Sequence, residues 1–409
     1  MINRRTLLKN LSALPLLGGF IGGNHLLGKS GVTGNVVADK MYRDYFKELG
    51  VRTFINAAGT YTAMSGCLMR EETVQAINYA SNQYVNIDDL QDRVGERIAE
   101  LLDCEAATVT AGCFSAITLG LAGVMSGLDP KKAAKIPDDI ADLKNEVILQ
   151  KSHHIGYAHA LRNCGVKLVE VETAAELENA INDKTAMLWF LNYGNPDGHV
   201  KYDEFVAIGK KHGVPTMIDC AADVPPKENL FKYTKMGFDL VCFSGGKGLR
   251  GPQSAGLLLG KKDLIAAARL SAAPRGDTVG RGMKVNKEET LGMLAALENF
   301  LTRDHEADWK LWKGQIEHIH DTVASVDGVM AEIHVPEIAN HVPSLKVSWD
   351  QNKIKMDGNA VREKLRMGHP SIQTVGNNES LGITTWMMNP GEERIVASRI
   401  KEILSTDVE

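Results

Sequence analysis

Cys242-Phe243-Ser244-Gly245-Gly246-Lys247-Gly248-Leu249-Arg250-Gly251-Pro252-Gln253 is the stretch on which the reading of this chain turns. An apolar run over 239–244 leads directly into a lysine flanked by glycines. The run is short and continuous, as suits a strand buried on both faces. A lysine at that place stands at the carboxyl end of a strand, where open α/β sheets hold their ligands. The segment is not a nucleotide-binding Walker loop, because Val241 occupies the position of that motif's first glycine and Gly248 replaces its Ser or Thr. Glycines on both sides leave room for a planar group to bond covalently to the amine. A surface lysine in a turn is the competing reading of this segment taken alone.

Working outward, helical periodicity from residue 70 alternates with further apolar runs at 106–110, 146–149, 166–171, 186–191, 215–219 and 255–259. With the lysine run they predict an α/β fold, a mostly parallel seven-stranded sheet covered by helices on both faces. A long helical pattern occupies 287–325. Beyond it, strands at 344–349 and 383–388 and helices at 358–366 and 391–404 predict a small C-terminal α+β domain. The expected order is a leader (1–38), an arm (39–69, with an amphipathic run at 41–49), a large domain (70–286), the connecting segment and the small domain (326–409). The 409 residues, 44% hydrophobic and 24% charged, fit a two-domain globular protein. They exclude a disordered or collagen-like chain. A net charge of -5 gives no general attraction for nucleic acid or anionic membrane.

Two further segments also lie where expected strands end. In Val214-Pro215-Thr216-Met217-Ile218-Asp219-Cys220-Ala221 a carboxylate closes the run, 28 residues before Lys247. Pyridoxal phosphate needs a carboxylate beside its ring nitrogen to keep the pyridinium protonated, and Ala221 is small enough to lie flat on a ring face. Asp219 as the cap of a following helix is the alternative. In Thr108-Val109-Thr110-Ala111-Gly112-Cys113-Phe114-Ser115 a strand enters a helix through small residues. Free N–H groups and the helix dipole make such a turn an anion site, so Gly112, Cys113, Phe114 and Ser115 are the candidate phosphate cradle.

Phosphate turn, pyridinium carboxylate and lysine, in that order, resemble the fold-type I pyridoxal phosphate enzymes, the aspartate aminotransferase superfamily. Residues 55–60, 219–226 and 243–253 narrow the likeness to the branch of bacterial selenocysteine synthase (L-seryl-tRNA selenium transferase), which includes D-glucosaminate-6-phosphate ammonia-lyase. The resemblance spans 41 to the end. It implies pyridoxal 5'-phosphate as cofactor, Lys247 as Schiff-base lysine and proton-transfer base, and Asp219 as pyridinium partner. It implies that His153, rather than His154, stacks on the exposed ring face, and that Asn195 approaches the phenolic oxygen. Ser244 joins the cofactor-binding set. Arg281 and Lys284 would bind the substrate anion from a neighbouring subunit, which implies a homodimer or larger homo-oligomer. Relatives often carry an arginine for the substrate carboxylate in the C-terminal region, yet none occurs from Met367 through Glu393.

The N-terminal Asn3-Arg4-Arg5-Thr6-Leu7-Leu8-Lys9, followed by a weakly apolar run broken by Pro15, resembles a twin-arginine export signal. The expected location is therefore periplasmic or otherwise exported, with cleavage near 36–38 and no membrane association afterwards. A cytosolic enzyme with a basic N-terminus is the alternative. Cys67, Cys104, Cys113, Cys164, Cys220 and Cys242 show no paired metal-ligand spacing and read as core thiols, so no metal is expected.

The expected substrate is a small amino acid or amino-sugar acid, processed through an α-carbanion. Elimination of a β-leaving group, in the manner of an ammonia-lyase, leads; racemisation or epimerisation comes next. Selenium transfer on tRNA conflicts with the absence of any basic excess. An exported, degenerate cofactor-binding relative is the non-enzyme alternative.

Overall fold

The computed structural model describes residues 43–406, so the expected leader lies outside the described residues. Residues 43–51 form a unit of their own, and the amphipathic run at 41–49 reduces to one helical turn, Tyr45–Glu48. Its start is capped by Asp44, whose carboxylate accepts from the Lys47 N–H. The remaining elements belong to the unit from residue 52 onward.

The central sheet has seven strands: β2 (Ala106–Thr110), β3 (Glu146–Gln150), β4 (Lys167–Val171), β5 (Thr185–Leu191), β6 (Thr216–Asp219), β7 (Leu240–Ser244) and β8 (Gly256–Gly260). Their spatial order is β2-β8-β7-β6-β5-β3-β4. β8 runs antiparallel to both its neighbours, and the other pairings are parallel. β5 is buried at every position, as a central strand with both faces covered must be. Neighbours along it alternate between two cores: Phe190 packs with Phe205 and Phe243 on one face, while Trp189 and Leu191 pack with Met217 on the other. Register sets the floor of the site. Leu191 pairs with Asp219 and Asp219 with Cys242, so β5 and β6 end level with one another while β7 runs two residues further, to Ser244.

The helical stretch after residue 286 is two helices, Lys287–Thr302 and His305–Ala324. Separate caps divide it. Asn286 and Glu289 form a reciprocal capping box on the first, and Asp304 accepts from the Ala307 N–H on the second. The small domain contains a four-stranded antiparallel sheet, β12-β13-β10-β9, built from β9 (Val329–His334), β10 (Ser344–Trp349), β12 (Val375–Gly376) and β13 (Ser380–Thr384). The sequence places the last strand at 383–388, but it ends at Thr384. There the chain turns, Met388 donating back to the Thr385 carbonyl and the Thr385 hydroxyl donating to that of Trp312.

The arm contributes to this small domain. β1 (Phe54–Asn56) pairs in parallel with β11 (Ser371–Gln373), and Ala57 bridges the Gln373 carbonyl and the Thr384 N–H. Ile55 and Ala57 are buried in the small-domain core. All six cysteines are free. No helix among the described residues is long and apolar enough to cross a membrane.

The helix Ile87–Leu102 approaches β2 so closely that a Cβ on Gly95 would lie 2.3 Å from the Ala107 carbonyl oxygen. Gly314, exposed on its own helix, has nothing within 4 Å of that position. Gly95→Ala is expected to destabilise the fold by about 2 kcal/mol through overpacking, and Gly314→Ala to stabilise it by about 0.5–1 kcal/mol. Denaturant unfolding of the two variants beside wild type checks the contrast; equal effects would contradict the packing assigned to Gly95.

Candidate active site

The loop carrying Lys247 is folded on itself. Gly245 donates to the Ala255 carbonyl at 2.8 Å, Gly251 to that of Gly245 at 2.9 Å, and Arg250 to that of Lys247 at 2.9 Å. Its glycines serve a different purpose from the one the sequence suggests. A Cβ on Gly246 would lie 2.4 Å from the Gln253 Cα, and one on Gly248 would lie 2.0 Å from the Val224 carbonyl oxygen. The space beside them is filled by the protein's own backbone. Lys247 itself is half-buried, and no hydrogen bond or ion pair among the described residues engages its amine.

Asp219 closes β6 at 4% exposure. Its Oδ1 accepts from the Ala221 N–H at 3.0 Å and from the Cys113 thiol at 3.3 Å, with the Cys242 thiol at 4.0 Å. Oδ2 takes none of these bonds. Burial pushes this carboxyl up, while the Ala221 and Cys113 hydrogen bonds and the Lys247 charge act in the opposite direction. The bond to Cys242, followed by burial, pushes the Cys113 thiol well above its ordinary value, and burial pushes Cys242 up to about 11. Both sulfurs are therefore neutral donors at physiological pH. The sulfur and carboxylate atoms of Cys113, Asp219 and Cys242 lie within 4.8 Å of one another. Separations of 106 and 23 residues keep that group out of reach of any spacing motif.

Cys113 sits in the first turn of the helix Gly112–Ser126, so the thiol contact joins the small-residue turn to the carboxylate. The N-cap residue Ala111 offers no side-chain acceptor, and Gly112 has φ +80°. Phe114 is 39% exposed and Ser115 is buried. An uncapped helix start presents N–H donors that a bound anion satisfies.

Other expected site residues are placed differently. The His153 ring is fully buried: Nδ1 accepts from the Leu191 N–H at 3.2 Å, Nε2 lies 3.3 Å from the Gln150 amide, and Phe190 meets it edge-on at 4.3 Å. Gly194 and Gly198 close over it, a Cβ on either reaching within 3.0 Å of the ring. Burial lowers its pKa to about 4, so it is neutral and has no face open to a ligand. His154 pairs with Glu170 and with Arg162. The Asn195 side-chain amide oxygen is buried without a partner, as is the Ser152 hydroxyl. Ala221 and Ser244 are half-buried at the strand ends. Arg281 and Lys284 are exposed on a loop whose Gly280 abuts Leu119, and within one chain nothing brings them to Lys247.

Asp223 carries no signal in the sequence, yet it belongs to the site. It is 3% exposed, accepts from the Ala339 N–H of the small domain at 3.1 Å, and feels both Asp219 and Lys247. Burial, offset by the Asn192 amide, raises it to about 6. A raised carboxyl pKa contributes stability that is present below the unfolded value near 4 and lost as pH rises through about 6. Asp223→Asn is therefore expected to flatten the decline in stability of the cofactor-free protein over that window, worth roughly 3 kcal/mol. Urea unfolding at pH 4, 5, 6 and 7 measures this; an unchanged slope would refute it.

The half-buried free amine, the fixed carboxylate with Oδ2 uncommitted and the uncapped helix start together suit pyridoxal phosphate, which offers a carbonyl, a ring nitrogen and a phosphate. A family model described as L-seryl-tRNA selenium transferase (SelA) matches residues 54–311. The chain is 27% identical to a D-glucosaminate-6-phosphate ammonia lyase of Salmonella typhimurium, covering 89% of this chain and 98% of the relative. It is 28% identical to a 5'-C-glycyluridine monooxygenase-decarboxylase of a Streptomyces species, covering 88% and 92%. With the L-seryl-tRNA(Sec) selenium transferase of Serratia proteamaculans the identity is 28%, covering 58% of this chain and 55% of that one. A solved structure of D-glucosaminate-6-phosphate ammonia-lyase superposes with a TM-score of 0.78 at 25% identity, over 90% of this chain and all of that one. Geometry and likeness agree: the chain belongs to the L-seryl-tRNA selenium transferase family and is a pyridoxal phosphate-dependent enzyme of fold type I.

Proposed function

We propose that this enzyme eliminates a β-leaving group from an amino acid or amino-sugar acid, in the manner of an ammonia-lyase. The observation that carries the reading is the uncommitted Lys247 amine, close enough to Asp219 and Asp223 for its charge to act on both carboxyls. Likeness over 98% of an ammonia-lyase's length supports elimination in particular. For a β-hydroxy substrate the water expelled and the water later added cancel, leaving a keto acid and ammonia.

When bound, pyridoxal phosphate delocalises the electron pair left at the substrate's α-carbon. The chain's residues do the rest. Asp219 would hold the ring-nitrogen proton through its uncommitted Oδ2, while Ala221, Cys113 and Cys242 surround Oδ1. First-turn N–H groups over 112–115 would take the phosphate, with Ser244 at the end of β7 a further donor. Ala221, small and half-buried, would lie against the ring, and Asn195 would approach the phenolic oxygen. Lys247 would hold the cofactor through its amine and, when free, would carry the proton taken from the substrate's α-carbon. His153 enters as a support for the end of β5 rather than as a ring partner, because its ring is enclosed.

The Streptomyces relative favours a second reading, an oxygen-dependent decarboxylation in which the bond to the substrate's carboxyl carbon breaks at the same α-carbon. Arg281 and Lys284, exposed in one chain, suit a role at a neighbouring subunit's site and hence a homo-oligomer. The twin-arginine pattern supports export of the folded enzyme.

Purified protein is expected to show a visible absorption band that borohydride abolishes, leaving a pyridoxyl adduct on Lys247 by mass spectrometry. Lys247→Ala is expected to lose the band and to lower ammonia release from β-hydroxy or sugar-derived amino acids by about a thousandfold. An adduct elsewhere, or no band after incubation with pyridoxal phosphate, would sink the proposal; oxygen uptake without ammonia would select the second reading. Replacing Arg4 and Arg5 by lysine is expected to leave the protein in the cytoplasmic fraction of a host with a twin-arginine route. Unchanged export would remove the signal assignment.

A further inference from the structure

Arg250 occupies an unusual position. It lies three residues beyond Lys247 in a left-handed conformation, φ +55°, which costs a non-glycine residue free energy. Its side chain crosses to the small domain and donates to the Trp386 carbonyl, just beyond the end of β13. That segment falls within 367–393, where the sequence has no arginine of its own. A guanidinium from the lysine loop therefore reaches the part of the small domain from which a local arginine is missing.

The surroundings are rich in positive charge and in donors without partners. Arg250 is mostly desolvated, and burial together with Arg70 and Arg303 pulls it down to about 10. Arg303 is paired with Asp308, but Arg70 makes no ion pair among the described residues and its Nε is buried without a partner. Cys67 and Asp308 are the remaining titratable neighbours, and both act on Arg250 in the opposite direction; the Cys67 Sγ donates to the Gly251 carbonyl at 3.6 Å, and the Asp308 carboxylate is engaged by Arg303. The Trp386 indole N–H and the Thr384 hydroxyl are also buried without partners, each 3.6 Å from where a Cβ on Gly59 would stand. Unsatisfied buried donors are costly, and a concentration of them marks where an acceptor belongs. The same wall meets the Asp219 loop: Asn340 donates to the Ala222 carbonyl at 2.7 Å, and Val342 packs with Trp386. Loop 59–67 lies against the lysine loop, since a Cβ on Gly66 would come within 2.6 Å of the Gly246 carbonyl oxygen and Gln253 donates to the Thr62 carbonyl at 3.0 Å.

We propose that Arg250, with Arg70 and the free donors of Trp386 and Thr384, forms the subsite that takes the substrate's carboxylate. This rests on the reading of the chain as a pyridoxal phosphate enzyme and names the anchor which that reading leaves open. A guanidinium and an indole N–H supply directed donors to a planar carboxylate. Gly59 leaves the space beside the Trp386 and Thr384 donors clear. Arg250 is then a substrate-anchoring residue. The competing role is purely structural, a clamp that ties the lysine loop to the Trp386 carbonyl.

Two carbonyl-trapping reagents separate the roles in cofactor-loaded protein: aminooxyacetate, which carries a carboxylate, and O-methylhydroxylamine, which does not. The expected result is that aminooxyacetate quenches the visible band faster in wild type, and that its advantage falls at least tenfold in Arg250→Ala and in Arg70→Gln. The second variant removes no ion pair among the described residues and so keeps the test open if the first fails to fold. A ratio unchanged in a variant that retains the band would overturn the subsite; absence of the band from wild type would overturn the underlying reading instead. Thermal melting of the cofactor-free protein at constant ionic strength supplies a readout independent of the cofactor. Stabilisation by sodium acetate should be lost in Arg250→Ala while that by inorganic phosphate persists through the helix start. Loss of the phosphate effect alone would assign Arg250 to a phosphate and overturn the carboxylate proposal.

Discussion

A carboxylate removed from water must be held by donors or it neutralises itself or unfolds the region around it. Asp219 meets that constraint with one oxygen. Oδ1 takes the Ala221 N–H and the Cys113 thiol, with Cys242 close by. Each donor comes from a different piece of the fold: the turn after β6, the first turn of the helix that succeeds β2, and β7. The bonds form only if Asp219 and Cys242 stand side by side in the sheet and the helix starts next to them. The pairing of Asp219 with Leu191 on one side and Cys242 on the other supplies that register. A one-residue slip would turn Asp219 to the opposite face of the sheet and lose every one of these contacts. The large-domain architecture and the polarity of the site are thus one requirement seen from two sides.

A second layer of constraint joins the small domain to the lysine loop. Ala57 is held between the Gln373 carbonyl and the Thr384 N–H, Ala339 donates to Asp223, and Arg250 donates to the Trp386 carbonyl. Each connection has a backbone group at one end at least, and the two that reach the large domain rest on the side chains of Asp223 and Arg250. Such a frame can keep its cofactor machinery while the covering loops change chemistry. Similarity to a lyase, a monooxygenase-decarboxylase and a selenium transferase is what that arrangement permits.

How far the sequence reveals the fold depends on the length scale of each signal. Buried strands are continuous apolar runs, and the seven of the central sheet stand out within a residue or so of their observed ends. Strand order and the antiparallel sense of β8 leave no such trace. β9 is invisible in the sequence because most of it is exposed, and β1 and β11 because three-residue strands carry no period. Asp219 and Lys247 are legible because each ends a run. Cys242 reads as core by sequence, and Asp223 and Arg250 do not stand out at all, since their roles arise from partners far away in the chain. His153 and His154 are distinguishable only through their surroundings: one is sealed beneath Gly194 and Gly198, and the other is drawn toward Glu170.

The glycines of the lysine loop carry a different physical meaning in the fold from the one their bareness suggests in the sequence. Bareness around Lys247 reads as space for a ligand, yet the Val224 carbonyl and the Gln253 backbone occupy that space. The glycines permit a turn tight enough to return Arg250 to the small domain, with its N–H bonded to the Lys247 carbonyl. Arg250 itself retains a side chain at φ +55°, where glycine would relieve the strain. A backbone position that favours glycine but holds an arginine implies that the guanidinium offsets the strain. The Trp386 carbonyl is a single neutral acceptor, and it leaves most of a desolvated guanidinium's donors unused. Asp308, the carboxylate that acts on Arg250, is engaged by Arg303, so an anion bound beside Arg250 would take up donors that the protein itself leaves unused.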